Sequence, residues 1–179
     1  MANPLRSARI LARPVTAADT PAVVGIYEGN RDLLVLLDRE HDPEVLARRF
    51  VQGLNLPQGS PPAGLRNYLL CDVQTGRPTG LLSLYIGYPS RDVAYIGELF
   101  LHPGRQGVGL GREVCLCLEQ ALRSGPAKTM RVGVGLKNWN ALRFWVKLGF
   151  TEITGMSGDR HFRPDGHAFL ELQKTLGQP

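Results

Sequence analysis

Four of the eight positions from Gly104 to Gly111 are glycine, and they fall where one periodicity stops and another begins. Before them, Val93 to Leu101 is an apolar run with the character of a strand. After them, Val114, Leu118, Ala121 and Leu122 share one helical face within a segment from Gly107 to Ser124, which Gly125-Pro126 closes. A strand that turns through glycines into a long helix belongs to an α/β layer structure. Such a turn frees the backbone to take positive φ and to approach a ligand closely. The helix beyond it presents unpaired N–H groups and the positive end of its dipole, so an anion suits that position. Arg105 and Arg112 add positive charge, and phosphate is the expected guest; a glycine turn that holds nothing is the plainer alternative. Two known phosphate cradles do not fit. The dinucleotide fingerprint fails because Arg112 and Val114 occupy the third glycine position, and no Gly-Lys-Ser/Thr follows to make a Walker A loop.

The rest of the chain reads as elements of the same layer structure. Ile10 to Val15 is a first strand, Pro21 to Glu28 a helix ended by Gly29-Asn30, and Asp32 to Leu37 a short second helix. Asp42 as N-cap and Pro43 at the first position open a helix with Val45, Leu46, Phe50 and Val51 on one stripe. After a loop from Pro57 to Gly64 the period becomes two. Asn67 to Gln74, Gly80 to Tyr88 and Val93 to Leu101 form an antiparallel meander. Met130 to Leu136 is a strand, Asn138 to Leu148 a helix, and Phe150 to Thr154 and Ala168 to Leu172 are two last strands. The coarse order is β-α-α-β-β-β-α-β-α-β-β. It predicts an α/β (α+β) fold whose central sheet has about seven strands. Residues 8–176 are expected to be one domain, with 1–7 and 177–179 as flexible termini.

Composition excludes several function classes. The chain has 179 residues, 43% of them hydrophobic, and a net charge of +5, too apolar and too weakly charged for disorder. Its longest apolar stretches, such as Leu33 to Leu37, fall far short of the ~20 residues that span a bilayer. No signal-peptide core follows Met1, so neither membrane nor export is expected. Three cysteines, Cys71, Cys115 and Cys117, show no CxxC spacing and fit a reducing compartment, hence cytoplasm. Basic residues are dispersed without interleaved aromatics, which argues against nucleic acid. The spacing His161-x5-His167 is a poor metal signal, so no metal is expected.

Two segments together carry a resemblance. Gln106-Gly-Val-Gly109-Leu-Gly111 is similar to the Gln/Arg-x-x-Gly-x-Gly/Ala motif of the GNAT (Gcn5-related N-acetyltransferase) superfamily, with Leu101 and Pro103 at the matching upstream positions. Asn138-Trp-Asn-Ala141-Leu-Arg-Phe144-Trp145-Val-Lys-Leu-Gly149-Phe150 resembles its Asn-x-x-Ala-x-x-Phe-Tyr-x-x-x-Gly-Phe. The two stand at the right mutual spacing, and the match covers residues 93–151. The resemblance implies a mixed, mostly antiparallel sheet flanked by helices, with two neighbouring strands splayed apart to bind acyl-CoA. It implies that the backbone of Gln106, Gly107, Val108, Gly109, Leu110 and Gly111, with Arg112 beyond, holds the pyrophosphate of acetyl-CoA, the co-substrate. Pantetheine would pair with backbone at Leu99, Phe100 and Leu101. The Leu101 N–H would polarise the thioester carbonyl, and Asn138, Ala141 and Trp145 would line the cofactor's arm. An amine would attack the thioester directly.

That chemistry needs a base, because an alkylammonium must lose its proton before attack. Glu98 is the candidate for base or amine binding, as the only carboxylate inside the apolar strand Tyr95 to Leu101; a structural ion pair is the alternative. His102, just before Pro103, reads as a turn residue. The superfamily commonly places a Tyr acid where this chain has Trp145, whose indole N–H donates hydrogen bonds but is no usable acid. Acceptor recognition is expected from 22–42, with Tyr27, Glu28, Asp32, Asp38 and Glu40, and from 155–166, with Asp159, Arg160, His161 and Arg163. The leading expectation is an N-acetyltransferase acting on a small amine or a protein amine. A catalytically weak acyl-CoA-binding protein is the competitor, and a homodimer is left open.

Overall fold

The computed structural model describes residues 5–37, 40–161 and 163–177. The strands are β1 (Leu5–Arg6), β2 (Ile10–Pro14), β3 (Leu65–Asp72), β4 (Pro78–Ile86), β5 (Val93–Leu101), β6 (Thr129–Gly135), β7 (Glu152–Gly158) and β8 (Ala168–Thr175). The helices are α1 (Thr20–Gly29), α2 (Arg31–Leu36), α3 (Pro43–Val51), α4 (Leu110–Leu122) and α5 (Trp139–Lys147). Most follow from local rules. Asp42 Oδ1 accepts from the N–H groups of Glu44 (2.9 Å) and Val45 (3.3 Å), and so caps α3 as its sequence predicts. Asn138 caps α5 in the same way, accepting from the Ala141 N–H at 3.0 Å.

The strands form one open sheet in the order β1-β2-β3-β4-β5-β6-β8-β7. Every pairing is antiparallel except β5 with β6. A parallel pair needs a long crossover, and α4 supplies it. Each face of the sheet carries its own core. Leu82, Leu84, Ile96 and Val132 pack with Leu118 of α4 and Trp145 of α5. On the opposite face Leu69, Leu81 and Phe100 pack with Tyr27 of α1 and Phe50 of α3. Arg13 and Asp19 tie β2 to the start of α1 through two hydrogen bonds of 2.6 and 2.8 Å. The Arg13 guanidinium holds the Asp19 carboxyl well below the usual carboxylate range, against the opposing effect of burial.

Three expectations need correction. The sheet has eight strands, because Leu5–Arg6, expected in a flexible terminus, pairs with Leu11 and Ala12 and buries Leu5. Three helices lie between β2 and β3, as the separate helix readings have it, whereas the coarse element order counts two; Asn30 leaves the helical region (φ −109°, ψ 17°) and separates α1 from α2. The last hairpin is longer than its hydrophobic pattern suggested: β7 runs to Gly158 and β8 to Thr175, because main-chain pairing continues through polar positions. Residues 1–4, Asp38 and 178–179 lie outside the described residues.

Candidate active site

The site begins with one extra residue in β5. Along β4 and β5, Ser83 pairs with Glu98 and the next residue, Leu84, pairs with Ile96, so Gly97 is a bulge. A bulge reverses the alternation of the residues beyond it. Strict period two would put Glu98 with Ala94 and Ile96, facing α4 and α5. Instead Leu99 and Leu101 take that face, while Glu98 and Phe100 turn toward α1. There the Tyr27 hydroxyl donates to Glu98 Oε2 at 2.6 Å.

The same shift turns the main chain. The His102 N–H donates to the Thr79 carbonyl at 2.8 Å, which sets the hydrogen-bonding phase between β4 and β5. Leu101 and Leu99 are then out of phase with β4, and their N–H and C=O groups point away from it. On that side β6 has departed, because β5 and β6 pair only from Val93–Thr129 to Ile96–Val132. Past Gly97 and Gly133 β5 follows β4 while β6 follows β8. The gap that opens between them leads to a cavity of about 580 Å³. Leu33 and Leu37 line it from one face of the sheet, and Asn138, Ala141 and Trp145 from the other, so it passes through the sheet.

At the end of β5 a single 3₁₀ turn, Pro103–Arg105, leads into the glycines. Gly107 (φ 75°) and Gly109 (φ 85°) both adopt left-handed backbone, and Gly109 is the N-cap of α4. Among the described residues, the N–H groups of Gly107 to Arg112 have no intrachain acceptor; the first bond of α4 runs from Glu113 N–H to Gly109. Six open donors at a helix N-terminus are a geometry that suits an anion. Gly111 has a different task. A Cβ there would lie 3.2 Å from the Phe144 ring, so this glycine lets α4 meet α5.

Side chains brace the turn. Gln106 donates to the Leu101 carbonyl (2.9 Å) and to Asn30 Oδ1 (3.1 Å), and Asn30, itself buried, donates to the same carbonyl at 3.1 Å. Two carboxamides therefore hold the end of β5 in place. Arg105 is not left as loose positive charge, since it pairs with Asp72, whereas Arg112 is exposed in the first turn of α4. Arg9 joins the loop from the β1–β2 turn, bonding the Val108 carbonyl and Glu113.

The predicted residues therefore separate into groups. Glu98, Leu99, Phe100, Asn138, Ala141 and Trp145 all line the cavity. Trp145 is buried edge-to-face between Phe144 and Phe150. His102 is a turn residue, its Nδ1 accepting from Gly104 N–H. Tyr27 is buried, and its contribution is the hydroxyl that meets Glu98. Glu28 and Asp32 are exposed and line neither this cavity nor its neighbour. Glu40 bonds the N–H groups of His41 and Asp42. Asp159, His161 and Arg163 line a separate cavity of about 420 Å³ beside Trp139.

Other site residues had no local signature. Glu171 of β8 brings a second carboxylate to the cavity. Burial and that carboxylate push the Tyr95 phenol far above its ordinary value, so Tyr95 stays protonated and is a hydrogen-bond donor. Both are pattern-conforming strand residues, and the β5-β6-β8 strand order sets them together across Gly133, where a Cβ would lie 3.0 Å from the Tyr95 hydroxyl.

Splayed parallel strands, a glycine-capped helix and a carboxylate inside the gap define a class of acyl-transfer fold, and the chain belongs to the GNAT acetyltransferase family, whose model matches residues 34–150. Over 96 residues it is 31% identical to an uncharacterized N-acetyltransferase of Methanocaldococcus jannaschii. That stretch is 51% of this chain and 42% of the other, so the chain spans less than half the length of the curated relative it matches. The fold is similar to an acetyltransferase of Salmonella typhimurium that modifies the N-terminal serine of ribosomal protein L7/L12, with TM-score 0.78, 19% identity and coverage of 98% of this chain and 100% of that one. It is also similar to a ribosomal L7/L12 α-N-protein acetyltransferase in complex with coenzyme A, with TM-score 0.77, 18% identity and coverage of 97% and 98%.

Proposed function

We propose that this protein transfers an acetyl group from acetyl-CoA to a primary amine. The observation that carries the reading is the gap between β5 and β6, which opens beside the Leu99 and Leu101 main chain and ends at the unbonded N–H groups of Gly107 to Arg112. A pyrophosphate suits the N–H cradle, and an extended amide-bearing arm suits a strand edge with open donors and acceptors. Family membership and the coenzyme A complex of a structural neighbour agree with that choice of co-substrate.

The chain's residues then divide the work. The Leu101 N–H polarises the thioester carbonyl, and the carbonyl of the same residue is held by Asn30 and Gln106. Glu98 takes the proton of the attacking amine, directly or through a water, while Tyr27 keeps the carboxylate oriented. The amine nitrogen bonds to the carbonyl carbon, the carbon–sulfur bond breaks, and the thiolate leaves and is protonated by water. Trp145 packs beside the arm and supplies no proton.

Trp145 also favours a second reading, a weak acyl-CoA-binding protein. Calorimetric titration with acetyl-CoA and thiol release across an amine panel separate the two, since binding without turnover on any amine supports the second. Gly109→Glu is expected to abolish acetyl-CoA binding in a folded protein, because it sets a carboxylate on left-handed backbone inside the anion seat. Unchanged affinity would move the cofactor elsewhere.

A further inference from the structure

A second cavity, of about 320 Å³, opens from the first on the α3 side of the sheet. The two share Tyr95, Gly97 and Glu98. Leu46 and Arg49 of α3 close its outer wall, and Tyr85, Tyr88 and Tyr95 form its aromatic side, packed edge-to-face in series. Most of its polar groups are already satisfied. Asn55 donates to Ser83 and exchanges hydrogen bonds with Asn67, and the Tyr85 hydroxyl donates to the Pro61 carbonyl. Its described lining carries two formally charged residues, Glu98 at the junction with the larger cavity, where Tyr27 donates to it, and Arg49, exposed on α3. No carboxylate among the described residues pairs with Arg49.

We infer that this second cavity is the acceptor pocket, and that the acceptor is a small amino acid: a primary amine that also carries a carboxylate. The inference rests on the acetyl-transfer reading and names the acceptor class for it. The amine lies at Glu98, where the pocket meets the cleft that holds the thioester. The carboxylate lies at Arg49, whose planar fork suits it. The body of the acceptor lies along the three tyrosines, whose flat faces offer apolar area with little ordering cost. A neutral alkylamine would leave Arg49 unmatched, and a diamine would be repelled by it. Specificity therefore follows from charge separation across one pocket.

The test is a matched panel. Amino acids of increasing chain length are compared with their carboxamides and their decarboxylated amines, each assayed for kcat/KM with acetyl-CoA by thiol release. The carboxylates are expected to be better acceptors by roughly tenfold or more, the scale of one charge-assisted hydrogen-bonded pair. Arg49→Gln should collapse that preference through KM, Arg49→Lys should keep part of it, and Arg49→Glu should invert it toward diamines. Amides or plain amines that match the acids in the unaltered protein, or a preference unmoved in Arg49→Gln, overturn the assignment while leaving acetyl transfer intact. If no amine is acetylated, the transfer reading fails by itself. Calorimetry of the same acids with coenzyme A present then decides the pocket: binding lost in Arg49→Gln upholds it, and no binding overturns it.

Discussion

Glu98 reaches Tyr27 because of the single extra residue at Gly97, so one glycine decides which face of the sheet holds the proposed base. If Glu98 takes the amine proton, Glu98→Gln depresses turnover mainly below about pH 8, where the amine is mostly protonated. A loss parallel at every pH assigns Glu98 to binding. Asp19 gives a stability prediction with a definite sign. Its folded pKa lies below its unfolded value of about 3.9, so it stabilises the fold above that pH, and the contribution is lost as pH falls through the folded value. Asp19→Asn should cost about 1–3 kcal/mol at neutral pH, the range for hydrogen bonds to a charged partner. The deficit relative to the native chain should shrink on acidification below about pH 4, as denaturant melts across pH would show.

At the scale of elements, the contact between α4 and α5 joins the two motifs that the sequence keeps well apart. Gly111, in the first turn of α4, abuts Phe144 of α5. Gly111→Val should cost about 1–3 kcal/mol by overpacking, and Phe144→Leu in the same chain should return part of it. Simple addition of the two single effects would show that the contact carries no coupling. Most element positions were legible in advance: the meander, the cap of α3 and the glycine-to-helix turn follow from local rules. The first strand was missed because two residues, Leu5 and Arg6, show no period; the strand exists only through pairing with Leu11 and Ala12. Of the acidic residues named for acceptor recognition, Glu28 and Asp32 line neither cavity. Glu28 and Asp32 sit on exposed faces of α1 and α2, where solvation suffices to explain them.

For the whole molecule, the departure of β6 from β5 makes a passage lined from both faces of the sheet. If the proposed substrates enter from opposite faces, both can be held at once, and direct transfer should give intersecting initial-velocity plots. Parallel plots would indicate a covalent acyl-enzyme instead. By itself the sequence determined the layer class, the glycine turn that opens α4 and the family, because these rest on contacts within a few residues of one another and on local backbone freedom. Only the tertiary structure decided where the gap opens, that Glu98 turns to α1, that Asn30 braces the end of β5, and that Tyr95 and Glu171 line the cavity. Those outcomes depend on the phase between paired strands and on elements distant in the chain. A one-residue slip in that phase reverses every side chain beyond it, and no single segment carries the information.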